Sequence, residues 1–183
     1  MRVISGSAKG ARLKSPKSHT RPTTGMVRGA IFSILQSMVD EDWQAVDLYA
    51  GSGALGIEAL SRGAIRVDFV ERNARSCDVI RDNLKKTGML PQASVYCCSV
   101  NRALSFIDKA YDVIFLDPPY SDTSLGGVLD SLFESRLVSQ TSTVVVQHST
   151  RQPLSQRYGL FAMAKSRRYG DTCLSFYRQE GEN

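Results

Sequence analysis

Apolar and polar positions along the 183 residues fall into distinct rhythms. Near the start, Val3-Ile4 and Ala11-Arg12-Leu13 flank a turn region from Gly6 to Gly10, which predicts a small hairpin. Thr20-Arg21-Pro22-Thr23-Thr24 follows, and Pro22 keeps the chain extended at Arg21. Val27, Ile31, Ile34, Leu35 and Met38 then recur at three- and four-residue steps. That is one face of a helix, with Thr24 as its N-cap candidate.

Beyond residue 40 the period switches repeatedly between two and about 3.6. Strands are expected at Ala45–Tyr49, Arg66–Glu71, Ser94–Cys98, Asp112–Leu116 and Thr143–Gln147. Helices are expected near Ala54–Ser61, Ala74–Thr87, Arg102–Ile107 and Leu125–Glu134. Strands separated by helices imply crossover connections and a parallel sheet. The end of the chain breaks the rhythm. Leu160–Ala164 and Cys173–Tyr177 read as strands, and Arg167-Arg168-Tyr169-Gly170-Asp171 between them reads as a turn too short for a helix. A tight connection joins antiparallel strands, so the parallel sheet should carry an antiparallel hairpin at one edge.

The length fits one domain, residues 1–183, with a basic extension and helix over 1–40 and an α/β core over 41–183. Cys77, Cys97, Cys98 and Cys173 lack paired C-x-x-C spacing, and only His19 and His148 could join them. Free thiols in a reducing cytoplasm are therefore expected, and no metal site. No signal-peptide h-region or membrane-length apolar run is evident. The net charge is +5, but its distribution matters more. Residues 1–39 contain no Asp or Glu and seven cations: Arg2, Lys9, Arg12, Lys14, Lys17, Arg21 and Arg28. Such a segment is a candidate footprint for a phosphate backbone; a solvated basic face is the alternative.

The strongest local signal runs from Asp47 to Gly56, DLYAGSGALG, between the first core strand and its helix. Gly51, Gly53 and Gly56 satisfy G-x-G-x-x-G, and Glu71 ends the next strand, where a carboxylate can take ribose hydroxyls. Both NAD and S-adenosylmethionine carry a ribose. Asp47 separates them: a carboxylate at the loop mouth repels a pyrophosphate, whereas it suits the ammonium and sulfonium of S-adenosylmethionine. The second signal is Asp117-Pro118-Pro119-Tyr120, directly after the apolar run Val113–Leu116. In an open parallel sheet both segments reach the same rim. An exocyclic base amine is a weak nucleophile because its lone pair is delocalised. The Asp117 carboxylate and Pro118 carbonyl can accept its two hydrogens, and two prolines hold those acceptors still. Tyr120 can stack on the base.

The order Asp47–Gly56, Glu71, Asp117–Tyr120 resembles class I amino-methyltransferases acting on DNA or RNA. The stretch Arg21–Leu35 (RPTTGMVRGAIFSIL), the opening Arg2-Val3-Ile4-Ser5-Gly6 and the late Tyr169-Gly170-Asp171-Thr172 resemble the RsmD family. The resemblance implies the class I (Rossmann-like) methyltransferase fold: a seven-stranded, mostly parallel sheet with an antiparallel C-terminal hairpin and a short N-terminal hairpin and helix. It implies methylation of the N2 amine of a guanine in 16S ribosomal RNA, within an assembling small subunit, by a cytoplasmic monomer using S-adenosylmethionine. Asp47, Tyr49, Gly51, Gly53, Glu71, Arg72 and Ser99 would bind the cofactor, Ser99 near its adenine. Asp117, Pro118, Pro119 and Tyr120 would hold the base, and Arg2, Lys9, Arg12, Arg21, Thr23 and Arg28 the RNA. The chain departs from the family at Gly25-Met26 and Gly29, where charged residues are usual, and at Ser99-Val100, where an acid or amide is common.

Three rivals stay open at this level: an amino-methyltransferase for another target such as adenine N6 in DNA, a non-catalytic RNA-binding assembly module, and an NAD-binding oxidoreductase. His148 at a strand end reads more readily as structural or solvated than as a site residue. Arg167, Arg168 and Tyr169 suit either RNA contact or a solvated turn, and Trp43 reads as packing.

Overall fold

The computed structural model describes residues 1–16, 24–119 and 122–179. Thr24 caps the first helix α1 (Gly25–Leu35), its hydroxyl accepting from the Val27 N–H at 3.3 Å. The core follows as β1 (Gln44–Asp47), α2 (Ala54–Ser61), β2 (Arg66–Val70), α3 (Ala74–Thr87), a 3-10 turn (Leu90–Gln92), β3 (Ala93–Tyr96), α4 (Val100–Phe106), β4 (Val113–Leu116), α5 (Leu125–Phe133) and β5 (Thr143–Ser149). The last elements are β6 (Arg157–Tyr158), β7 (Phe161–Tyr169) and β8 (Thr172–Gln179). The sheet order is β3-β2-β1-β4-β5-β8-β7-β6. Strands β1 to β5 pair in parallel; β8, β7 and β6 are antiparallel.

Alternation along the strands feeds two apolar layers. Val113, Phe115 and Val145 pack with Ile31, Phe32, Leu35, Ile57 and Ile80 from α1, α2 and α3. Ile114, Leu116, Val144 and Val146 pack with Ala103, Leu129 and Leu132 from α4 and α5. Trp43 belongs to the first layer, as packing. The chain turns to opposite sides of the sheet from β1 outward, so the crevice for a ligand lies at the carboxyl ends of β1 and β4.

Three details differ from the sequence expectation. The sheet has eight strands because Arg157–Tyr158 adds a two-residue edge. The expected turn at 167–171 shrinks to Gly170-Asp171: Arg167, Arg168 and Tyr169 pair with Leu174, Cys173 and Thr172. An antiparallel edge tolerates exposed polar side chains, so strand pairing overrides their turn-like composition. Met38 lies past the end of α1, and Arg28 joins the helix's buried face.

The N-terminal segment forms a narrow hairpin, with Val3 N–H donating to Ala11 O at 3.0 Å and Leu13 N–H to Met1 O at 2.9 Å. It docks on α2 through Glu58, which is fully buried. The Glu58 carboxylate accepts from Ile4 N (2.8 Å), Ser5 N (3.0 Å) and Arg62 Nε (2.8 Å), with Arg28 Nε at 3.6 Å. Gly6 sits at φ +82°, where a Cβ would fall 1.6 Å from the Ser61 carbonyl, so this approach admits no side chain. No described helix is long and apolar enough to cross a membrane.

Candidate cofactor and base-binding site

Strand register assembles the rim. Asp47 pairs with Phe69 on one side and Phe115 on the other. Extending both registers by two residues sets Glu71 and Asp117 on either side of Tyr49, one layer above Asp47. Asp47, Glu71 and Asp117 thus lie together at the carboxyl-end rim of the parallel sheet.

Asp47 is buried, at 1% exposure. Its Oδ2 accepts from the Gly56 N–H at 3.2 Å, so it serves as an acceptor for the start of α2, whose Gly53 N-cap has no side chain. Among the described residues its Oδ1 has no hydrogen bond of ordinary geometry, although the Tyr49 backbone N–H lies close enough to pull the carboxyl down. Loss of hydration pushes the Asp47 carboxyl up to about 7; the Gly56 N–H pulls it down, and the charges of Asp117 and Glu71 add to the rise. A buried carboxylate oxygen that no described residue bonds squarely, beside two further acids, is matched by a cation. An amino-acid ammonium supplies both the charge and the N–H groups, so the donor set fits the methionyl end of S-adenosylmethionine.

The loop itself is shaped for close approach. Gly51 and Gly53 take φ values of +55° and +77°, which side-chain-bearing residues rarely adopt. Glu71 braces it: Oε2 accepts from Gly51 N at 2.9 Å and Oε1 from Asn73 N at 2.8 Å. Tyr49 is half-buried, and its hydroxyl is pushed up to about 12 by burial, then by the charge and hydrogen bond of Asp122, with Arg72 opposing. Arg72 is exposed and stands close enough to Tyr49 and Asp122 to influence both.

Asp117 is half-buried, Pro118 is buried and Pro119 is half-buried. Asp122 closes this loop, with its N–H donating to Pro119 O at 2.8 Å and its carboxylate accepting from Ser124 N at 2.9 Å. Hydrogen bonds from Ser124 hold the Asp122 carboxyl below its ordinary value. Tyr120, Arg21 and Thr23 lie outside the described residues.

One assignment changes. Arg28 is only 2% exposed and is committed to Glu58 and to the Arg2 carbonyl, 2.5 Å from NH2. Burial withdraws it from any phosphate surface. Ser99 is the N-cap of α4, its hydroxyl accepting from Arg102 N at 3.4 Å. Arg2, Lys9 and Arg12 are exposed on the N-terminal hairpin. His148 is structural: Nδ1 faces the carbonyls of Gln152 (2.9 Å) and Ser149 (3.1 Å), and Nε2 faces Ser175 Oγ (3.0 Å). Two carbonyls at Nδ1 place its proton there, so Ser175 donates to Nε2.

Sequence reasoning missed Asp122, Asn83 and Glu58. Asp122-Thr123-Ser124 ahead of α5 carries a capping pattern that could have revealed the first. Asn83 is fully buried and joins the glycine loop to the N-terminal segment, donating to Ser52 O (2.9 Å) and Lys14 O (3.0 Å) and accepting from Lys14 N (2.8 Å). Only Glu58's acidic character inside the apolar run ALGIEALS signalled it. Among the described residues no cluster of His, Cys, Asp or Glu could hold a metal ion.

The family model described as Conserved hypothetical protein 95, the RsmD family, matches residues 1–178. The chain belongs to this family. It is 37% identical over 185 residues to "Putative rRNA methyltransferase YlbH" of Bacillus subtilis (strain 168), covering 99% of this chain and 100% of that protein. It is 27% identical over 186 residues to "Ribosomal RNA small subunit methyltransferase D" of Escherichia coli (strain K12), covering 100% of this chain and 91% of the relative. The solved structure "Putative methyltransferase yhhF" from Escherichia coli superposes with a TM-score of 0.88 at 26% identity, over 100% of this chain and 99% of the other. The RsmD-family fold therefore spans the whole described chain, N-terminal hairpin included.

Proposed function

We propose that this RsmD-family chain is an S-adenosylmethionine-dependent methyltransferase that modifies the N2 amine of a guanine in 16S ribosomal RNA, acting as a cytoplasmic monomer on an assembling small subunit. The observation that carries the reading is the buried Asp47 carboxylate, whose Oδ1 has no squarely bonded partner among the described residues and which feels the charges of Glu71 and Asp117. The name borne by the Bacillus relative supports ribosomal RNA as the substrate class, and that borne by the Escherichia relative supports RNA of the small subunit.

In this reading Asp47 takes the ammonium and the Gly51–Gly53 backbone lies against the methionyl chain. Glu71 and Arg72 hold the ribose edge. Bound there, S-adenosylmethionine supplies an electrophilic methyl group on a sulfonium. Asp117 and the Pro118 carbonyl accept the two amine hydrogens, concentrating the nitrogen lone pair, while Pro119 stiffens the turn and Tyr120 stacks on the base. Reaction then depends mainly on placement, with the reacting atoms about 3–3.5 Å apart. Arg2, Lys9, Arg12, Arg21 and Thr23 bind the RNA backbone, so affinity falls as salt rises.

The test is transfer of a labelled methyl group into 16S rRNA, assembled 30S particles and duplex DNA, followed by mass mapping of the modified nucleosides. N2-methylguanosine in the ribosomal substrate is the expected product. N6-methyladenosine, or label confined to DNA, would overturn the assignment.

A further inference from the structure

A second concavity lies one strand away from the base clamp. It has a volume of about 760 Å³ and is lined by His148, Thr150, Leu154, Met163, Arg167 and Ser175, among others. Leu116 pairs with Val146, so Pro118 stands level with His148 on the neighbouring strand. Adjacent strands are about 4.8 Å apart, which sets the groove wall within one nucleotide's reach of the clamp. The concavity is an open surface groove, not an enclosed cavity.

The groove is held open by its own bonds. The Thr150 N–H donates to Asp171 O at 2.9 Å, tying the end of β5 to the β7–β8 turn. His148 fixes the Ser149–Gln152 bend, and Gln152 Nε2 donates to Asp122 O at 3.2 Å, linking the wall to the loop after Asp117. The hairpin tip therefore stands at the same rim as the clamp. Arg168, paired with Cys173 of the groove lining, and Arg167 are both exposed there. Residues 149–179 carry six Lys or Arg and a single acid, Asp171. That excess equals the net charge of the entire chain, +5.

We propose that this groove and the β7–β8 tip hold the single-stranded RNA that flanks the target base. Arg167 and Arg168 take its phosphates, and the groove takes the adjacent nucleotide. Its hydroxyl-bearing lining (Thr150, Ser166) and its apolar members (Leu154, Met163) match the edge and the face of a splayed base. The proposal rests on the RNA methyltransferase reading above. It adds a second basic surface to the N-terminal hairpin.

The experiment compares the wild-type chain with Arg167→Glu/Arg168→Glu and with the milder Arg167→Gln/Arg168→Gln. Three quantities are read for each: affinity for protein-free 16S rRNA across a salt series, affinity for S-adenosylhomocysteine, and labelled-methyl transfer. The glutamate pair should weaken RNA binding at least tenfold. Loss of two phosphate contacts should lower the salt slope by about 1.4. KM for RNA should rise with kcat and cofactor affinity nearly unchanged, and the glutamine pair should fall between. In 4-thiouridine-substituted RNA, crosslinks should map to peptides spanning 163–175. Wild-type RNA affinity and salt slope in the glutamate pair, with the wild-type chain active, overturn the groove assignment alone. A defect seen only with assembled particles overturns it in favour of a protein contact. Absence of transfer to ribosomal RNA by the wild-type chain overturns the underlying function.

Discussion

Replacing Asp47 with Asn tests whether the buried carboxylate is kept for a cation at the expense of stability. The Asp47 carboxyl sits at about 7 in the folded chain against 3.8 ordinarily, chiefly through burial. The folded state thus binds this proton more tightly than the unfolded state. Its contribution to stability is full below about pH 4 and is lost as pH climbs through about 7. With those two values, the wild-type chain loses about 3 kcal/mol from this one group between pH 5 and pH 8. Asn cannot ionise, so the variant does not suffer that loss. Its amide can still accept from the Gly56 N–H, and any fixed cost of burying the new NH2 group cancels when two pH values are compared. Relative to wild type, the variant should gain about 3 kcal/mol between pH 5 and pH 8, or about 6–12 °C in Tm for a chain of this size. Thermal melts of both proteins at the two pH values measure it. S-adenosylhomocysteine should raise the wild-type Tm and leave the variant's unchanged. Parallel pH profiles for the two proteins would refute the buried-charge argument, and equal stabilisation by the ligand would refute the ammonium assignment.

Three further outcomes are expected. Asp117→Ala should abolish methyl transfer while calorimetry finds S-adenosylhomocysteine affinity within a few-fold of wild type. Glu58→Ala leaves Arg28 buried without its partner and frees the Ile4 and Ser5 amides; removing one member of a buried pair costs about 3–5 kcal/mol, so Tm should fall by about 6–20 °C and the N-terminal hairpin should become sensitive to trypsin. Affinity for S-adenosylhomocysteine should be flat above neutral pH and weaken about tenfold per unit below it, because a protonated Asp47 cannot pair with the ammonium; titration calorimetry from pH 5 to pH 9 measures the profile.

Some of this protein is written locally. The switch from period two to period 3.6 depends only on which faces are apolar, so the β1 to β5 alternation and the edge hairpin were legible in residues 41–183. Thr24 was legible as a cap because a hydroxyl ahead of an apolar-periodic run satisfies an otherwise unpaired N–H. The convergence of Asp47, Glu71 and Asp117 was legible because a parallel sheet carries every strand's carboxyl end to one rim. Other features belong to tertiary structure alone. Arg28 looks like its basic neighbours in sequence, and only the docking of α1 on α2 turns it inward to Glu58. Ser99 carries a hydroxyl with several local uses, and only the placement of α4 shows that it caps that helix. Arg167 and Arg168 have the composition of a turn, and pairing with β8 draws them into a strand. In each case a side chain's local options are nearly equal in energy, and long-range packing or pairing selects among them.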